Sequence, residues 1–144
     1  MTKQQIVEKI LLHIHEHGRS FRRLRGTTIC AYRGDLGAKC AAGILILDEF
    51  YSEEFEGQMS EASQLREALI NSGVKPHQLK MVGKLQTCHD SPSHDSPKTE
   101  AEAREAVINR ILEYSKRKSI RVSRAVKDKV LNRNSKPNSE MTDV

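Results

Sequence analysis

Apolar residues recur at helical spacing along much of this chain. Ile6, Ile10 and Ile14 fall on one face of a helix that Gly18 can end. A second apolar pattern runs from residue 60 to residue 72 and also ends at a glycine. The N-terminal half is therefore predicted to contain at least two amphipathic helices.

Two further helices are predicted downstream. Pro76 can occupy the first turn of a helix, and Thr99 with Glu102 matches a capping box at the start of another that continues through Ile111. The apolar face of the earlier of these helices would hold Leu79, Val82 and Leu85.

The segment between the first two helices has a different pattern. Residues 27–32 are rich in β-prone side chains, and residues 33–37 contain two glycines that suit a tight turn. A short β-hairpin near residues 27–40 is the interpretation we draw. The apolar run that follows, 41–50, predicts a buried helix, although its length also fits a strand.

These patterns predict a mainly α fold. We expect a compact helical domain with a small hairpin at 1–115, followed by a basic tail at 116–144 that is either disordered or helical. Val122, Val126 and Val130 recur at every fourth position and would allow a basic amphipathic helix in that tail.

Composition narrows the class of protein. The chain has 144 residues, of which 37% are hydrophobic, 30% charged and 4% aromatic, with no tryptophan. Its longest apolar run is far shorter than the ~18 residues that a membrane span needs. Three cysteines, an odd number, without an export signal favour reduced thiols and a cytoplasmic protein.

Positive charge is concentrated at the C-terminal end. The net charge is +5, and residues 116–144 contribute nine basic and three acidic residues, so the rest of the chain is close to neutral. Such a basic tail can bind nucleic acid by neutralising phosphates. The favoured interpretation is a solvated tail that aids solubility, because no aromatic residue is interleaved to stack on bases. The candidate binding residues are Arg19, Arg22, Arg23, Arg25, Lys116, Arg117, Lys118, Arg121 and Arg124.

One cysteine is a candidate nucleophile. Cys40 precedes the predicted buried helix, where the helix dipole would favour its thiolate. His89 could act as its base, oriented by Asp90. The competing interpretation is that Cys40 simply packs in the core beside small residues, so an enzymatic role is the less favoured one.

Cysteine and histidine also raise the question of a metal. Cys30, Cys40, Cys88 and His89 could form a tetrahedral zinc site, but no Cys-x-x-Cys pair is present, and the adjacent Cys88 and His89 would point apart on a helix. We therefore expect no cofactor, with zinc as the alternative. A redox-sensitive Cys30–Cys40 disulfide across the hairpin is also geometrically compatible.

Several of these residues belong to a wider pattern. The chain contains CAYRG at 30–34, GAKCAAGILILD at 37–48, Tyr51, Glu56-Gly57 and an LQxxHD element at 85–90. This pattern resembles a set of small phage and prophage proteins that have no assigned activity. The resemblance covers about residues 28–90, implies a viral accessory context, and draws attention to Cys40, His89 and Asp90 together. Leu47 stands where those proteins often have proline, which predicts a longer helix here.

Two functional hypotheses follow. The first is a non-enzymatic phage accessory protein that binds a host or viral protein or nucleic acid in the host cytoplasm. The alternative is a cysteine-dependent hydrolase or transferase that uses Cys40, His89 and Asp90.

Overall fold

The computed structural model describes residues 1–24, 27–34, 37–56, 63–90 and 99–131, without the side chains of 21–30 and of Asp90. The described chain is mainly helical, as predicted. Its elements are α1 (Lys3–His17), β1 (Phe21–Leu24), β2 (Thr27–Cys30), α2 (Ala41–Leu45), α3 (Ser63–Asn71), α4 (Leu79–Asp90), α5 (Glu100–Arg117) and α6 (Arg124–Val130). Short 3₁₀ helices lie at Asp48–Phe50, Glu53–Phe55 and Pro76–Gln78.

The helix ends follow local sequence signals. Thr2 and Gln5 form a capping box at the start of α1, and Gly18 ends that helix with a positive φ of 76°. The side-chain oxygen of Thr99 accepts a hydrogen bond from the N–H of Glu102 at the start of α5. The sequence predicts the boundaries at Gly18 and Thr99, but not the capping box at Thr2.

The β-hairpin predicted near residues 27–40 is not seen. Residues 27–30 pair instead with the segment before them, with Phe21 opposite Cys30, as two antiparallel strands. Between 31 and 40 the only β-type pairing in the described residues is a single bridge between Arg33 and Lys39. The upstream partner lies only two residues away, and so short a connection closes with less entropy loss than a longer turn.

The helix predicted over 41–50 is also shorter than expected. α2 ends at Leu45, and Ile46 has an extended backbone. The Ile46 carbonyl accepts a hydrogen bond from Arg33, and the N–H of Leu47 donates to the Ser72 hydroxyl. These tertiary contacts replace the bonds of a continuing helix. The lengthening expected from Leu47 is therefore wrong.

α1 lies at the centre of the packing. It contacts α2, α5 and α6, while α4 contacts α2 and α5. The shared core is aliphatic, and its members include Ile6, Ile10, Leu45, Leu85, Ile111 and Val126. Burial of this apolar surface is the main force that holds the helices together.

The predicted boundary at 115/116 falls inside a helix of the described chain. α5 continues through it to Arg117, and α6 follows after a connection at 118–123. Of the two alternatives predicted for residues 116–144, disordered or helical, the described residues 116–131 are mostly helical. Their buried positions are the three valines spaced at four residues, Val122, Val126 and Val130. Residues 132–144 lie outside the described part.

Candidate functional site

Cys40 lies at the N-terminus of α2, where the sequence places it, but it is buried. Only 1% of the residue is exposed. Its Sγ accepts a hydrogen bond from the N–H of Gly43 at 3.4 Å, so the thiol acts as the cap of α2. A thiol in this position cannot meet a substrate unless the surrounding helices move apart.

His89 has a structural contact of its own. It is 1% exposed, and its Nε2 accepts a hydrogen bond from the N–H of Ser20 at 3.3 Å. The Ser20 hydroxyl in turn donates to the Ala31 carbonyl at 2.6 Å. The imidazole thus connects α4 to the backbone on either side of the β-strands. The side chain of Asp90, its predicted partner, lies outside the described part.

A second histidine, His13, supports the same region. Its Nε2 accepts a hydrogen bond from the N–H of Lys39 at 2.9 Å, and its ring centre lies 4.5 Å from that of His17. Burial, with the nearby His17 and Lys39, lowers the pKa of His13 to about 4 although Glu16 opposes the shift. No signal in the sequence identifies this contact, because the two partners are 26 residues apart.

Arg33 contacts three groups in residues 46–51. Its guanidinium forms an ion pair with Asp48 at 2.7 Å, donates to the Ile46 carbonyl at 3.0 Å, and lies 4.3 Å from the centre of the Tyr51 ring. The ring contact is a cation–π interaction.

Glu56 completes this cluster. Its carboxylate accepts hydrogen bonds from the backbone N–H groups of Tyr32 and Arg33 at 2.9 and 3.1 Å. It also accepts one from the Tyr51 hydroxyl. The contacts of Arg33 and Glu56 therefore hold residues 32 and 33 against residues 46–56.

The predicted zinc ligands do not form a site in the described part. No three side chains of His, Cys, Asp or Glu are grouped as metal ligands among the described residues. Cys40 and Cys88 are free thiols, so Cys40 is not in a disulfide. Burial raises the pKa of the Cys88 thiol, with Arg110 and Arg117 opposing the shift. The side chain of Cys30 lies outside the described residues.

The predicted binding residues whose side chains are described divide into two groups. The side chain of Arg19 is only 10% exposed, and its Nε lies 3.9 Å from Glu100, so it helps to fix the start of α5. Arg22, Arg23 and Arg25 lie outside the described side chains. The remaining candidates are all exposed at the end of α5 and the start of α6, namely Lys116, Arg117, Lys118, Arg121 and Arg124.

The chain's excess positive charge is located around this second group. Residues 116–131 contain seven basic residues, all exposed, and one acid, a formal charge of +6. Residues 132–144 are neutral overall, and residues 1–115 carry −1. The positive charge therefore belongs to a folded surface rather than to the last residues of the chain.

An open groove of about 780 Å³ lies on this surface, between the C-terminal half of α5, the connection at 118–123, and α6. We call it the α5–α6 groove. The groove is lined by aliphatic residues and by basic residues, and it also contains one acidic residue, Glu113 of α5. The aliphatic residues are Leu112, Ile120, Val122 and Leu131, and the basic ones are Lys116, Arg121 and Lys127. Lys127 was not among the predicted binding residues.

A hydrogen bond between α1 and the connection at 118–123 helps to hold the groove against the rest of the fold. The Glu8 carboxylate on α1 accepts a hydrogen bond from the N–H of Ser123 at 2.7 Å. Burial favours a raised pKa for Glu8, but hydrogen bonds from Ser123 and Gln4, together with the charge of Arg121, lower it overall. Ser123 also caps α6. This contact fixes the connection that forms one side of the groove.

None of the helices in the described part is both long and apolar enough to cross a membrane. Comparison of the chain with models of protein families, with curated proteins and with solved structures finds no match in any of the three. Function must therefore be argued from the molecule itself, and the α5–α6 groove is its strongest candidate site.

Proposed function

We propose that this protein is a non-enzymatic accessory protein of a phage or prophage, and that it binds a host or viral macromolecule in the α5–α6 groove. The observation that carries the proposal is the coincidence of charge and shape. Residues 116–131 carry a formal charge of +6 on a chain that is otherwise close to neutral, and three of their basic residues, Lys116, Arg121 and Lys127, line an open groove.

This arrangement suits an anionic macromolecule. Exposed cations attract an oppositely charged partner over a distance of about 8 Å at physiological salt, which raises the rate of association. Partly buried aliphatic side chains in the same groove would add affinity that salt does not screen. The phage context rests on the resemblance over residues 28–90.

The cysteine-dependent alternative receives no support from the geometry. Both Cys40 and His89 are 1% exposed, and each has a backbone N–H group as a hydrogen-bond partner. A nucleophile and base that serve as structural acceptors are poorly placed to meet a substrate.

The proposal can be tested with a charge-neutralised groove. The triple variant Lys116→Gln/Arg121→Gln/Lys127→Gln is compared with Lys3→Gln/Lys80→Gln/Lys84→Gln, which removes three exposed charges from α1 and α4. Fluorescence anisotropy measures binding of a labelled 20-nucleotide single-stranded DNA and of a labelled acidic peptide, at 50 and 300 mM salt.

We expect at least one probe to bind at 50 mM salt and to bind more weakly at 300 mM. The groove variant should lose about tenfold or more in affinity, since each cation contributes of the order of 0.5–1 kcal/mol. The control variant should lose less than about threefold. Absence of binding by both probes, or equal losses in the two variants, would overturn the proposal.

A further inference from the structure

We infer that the α5–α6 groove accepts an acidic amphipathic helix from a partner protein, rather than a nucleic acid. This inference rests on the proposed function and specifies its ligand. It is carried by the composition of the groove, in which aliphatic side chains are combined with a basic border.

The aliphatic lining favours a protein ligand. Leu112, Ile120 and Leu131 are only partly buried, although each packs against the main core. They come from α5, from the connection and from the C-cap of α6, so three separate parts of the chain contribute to the lining. An amphipathic helix presents apolar residues at i, i+3, i+4 and i+7, a row that could cover such a lining.

The basic border favours acidic residues beside that apolar row. Lys116 lies on α5, Arg121 on the connection and Lys127 on α6, so each of the three segments that form the groove contributes a basic residue to it. Their long side chains can pack over apolar surface while the charged groups remain in water. Glutamates that flank the leucines of a bound helix would therefore meet opposite charge.

Nucleic acid fits the same groove less well. Proteins that bind single strands usually stack bases on aromatic rings, and none of the described residues that line the groove is aromatic. Glu113 would also repel a phosphate backbone, whereas a helix can place a neutral or basic residue at that one position. Phosphate contacts alone would leave the aliphatic lining uncovered.

The test uses the full chain and three labelled probes. One is a 16-residue peptide with leucines at i, i+3, i+4 and i+7 and glutamates on the remaining face. The second has the same composition with the leucines distributed around the helix, and the third is a 20-nucleotide single-stranded DNA. Ile120→Ser removes apolar lining without changing charge, and Leu112→Ala is a second such variant if Ile120→Ser does not fold. Circular dichroism checks both variants.

We expect the amphipathic peptide to bind about tenfold or more tightly than its isomer, because only one arrangement buries several leucines together. Ile120→Ser should weaken that peptide about fivefold or more and change DNA binding less than twofold. In sedimentation experiments on the protein alone, copies of the chain should not associate through the groove. Association would be assigned to the groove if it depended on salt and were lost in the triple variant.

The other possible results distinguish failure of this inference from failure of the proposed function. If DNA binds and the two peptides bind equally or not at all, the inference fails while the proposed function stands. If no probe binds, the proposed function fails as well. If copies of the chain associate through the groove, the ligand is a second copy and the inference is wrong.

Discussion

Gly43 lies directly against the backbone of Tyr32, so that a Cβ atom built on Gly43 would overlap the Tyr32 carbonyl and fall 3.1 Å from its Cα. The Tyr32 carbonyl also accepts a hydrogen bond from the N–H of Cys40. This close approach fixes the position of α2 against the loop that precedes it.

Gly43→Ala is therefore expected to be strongly destabilising. The new methyl group would meet backbone atoms that cannot move alone, which should cost about 3 kcal/mol or prevent folding. Gly37→Ala is the matched control. Gly37 has a positive φ of 80°, but a Cβ atom built on it would have no described atom within 4 Å. This variant should lose only about 1 kcal/mol. Urea unfolding measures both, and equal stabilities would contradict the close contact.

The burial of Cys40 predicts low reactivity in the folded protein. At pH 7.5, iodoacetamide should label Cys40 at least about 100-fold more slowly in the native state than in urea, which corresponds to an opening free energy of ~2.7 kcal/mol. Peptide mapping by mass spectrometry identifies the labelled site. Rapid labelling of native Cys40 would show an accessible thiol and would favour the cysteine-dependent alternative.

The lowered pKa of His13 predicts a loss of stability at mildly acidic pH. Between pH 6.5, the ordinary value, and about 4, the unfolded state binds a proton that the folded state does not. The free energy of unfolding should therefore fall as the pH falls through this range, by about 1–2 kcal/mol because the ring is partly exposed to solvent. Below about pH 4 His13 is protonated in both states, so it causes no further decrease in the free energy of unfolding.

Chemical denaturation between pH 4 and 7.5 provides the test of this dependence. His13→Gln keeps an acceptor for the N–H of Lys39 but does not titrate, so its stability should vary less with pH. His77→Gln changes an exposed histidine and should retain the wild-type dependence. A wild-type slope in His13→Gln would show that another group is responsible.

The Arg33 contacts predict that lysine cannot replace arginine. Lysine can retain the ion pair with Asp48, but it cannot also bind the Ile46 carbonyl and stack on Tyr51. Arg33→Lys should lower the free energy of unfolding by about 1–2 kcal/mol. Asp48→Asn is the comparison, and it should cost about 0.5 kcal/mol or less because the Asp48 side chain is 84% exposed. Thermal unfolding of both variants distinguishes the two contributions.

The helices were predictable because their signals are local. The apolar spacing of α1, the glycine that ends it and the cap at Thr99 act within a few positions of one another, so adjacent sequence is sufficient. The hairpin and the length of α2 were not predictable in this way. They depend on the pairing of 27–30 with 21–24 and on the contacts of Ile46 and Leu47 with Arg33 and Ser72.

The candidate site shows the same division. The basic residues near 116–124 were recognisable from charge alone, but the groove required α6 to pack on α1 through Val126 and the Glu8–Ser123 contact. Cys40 and His89 were recognisable as reactive residue types. Only the tertiary structure shows that each is buried with a backbone partner, because burial depends on elements distant in the chain.

The sequence by itself determined the helical class, the starts of α2 and α5, the position of Cys40 before α2, and the concentration of positive charge in 116–144. Each of these depends on neighbouring residues or on simple composition. The tertiary structure decided which segments pair, where α2 ends, which histidines are buried, and that the basic region forms a groove. Those features depend on contacts between residues tens of positions apart, and the entropy of closing the intervening chain must be offset by packing that the sequence pattern does not reveal.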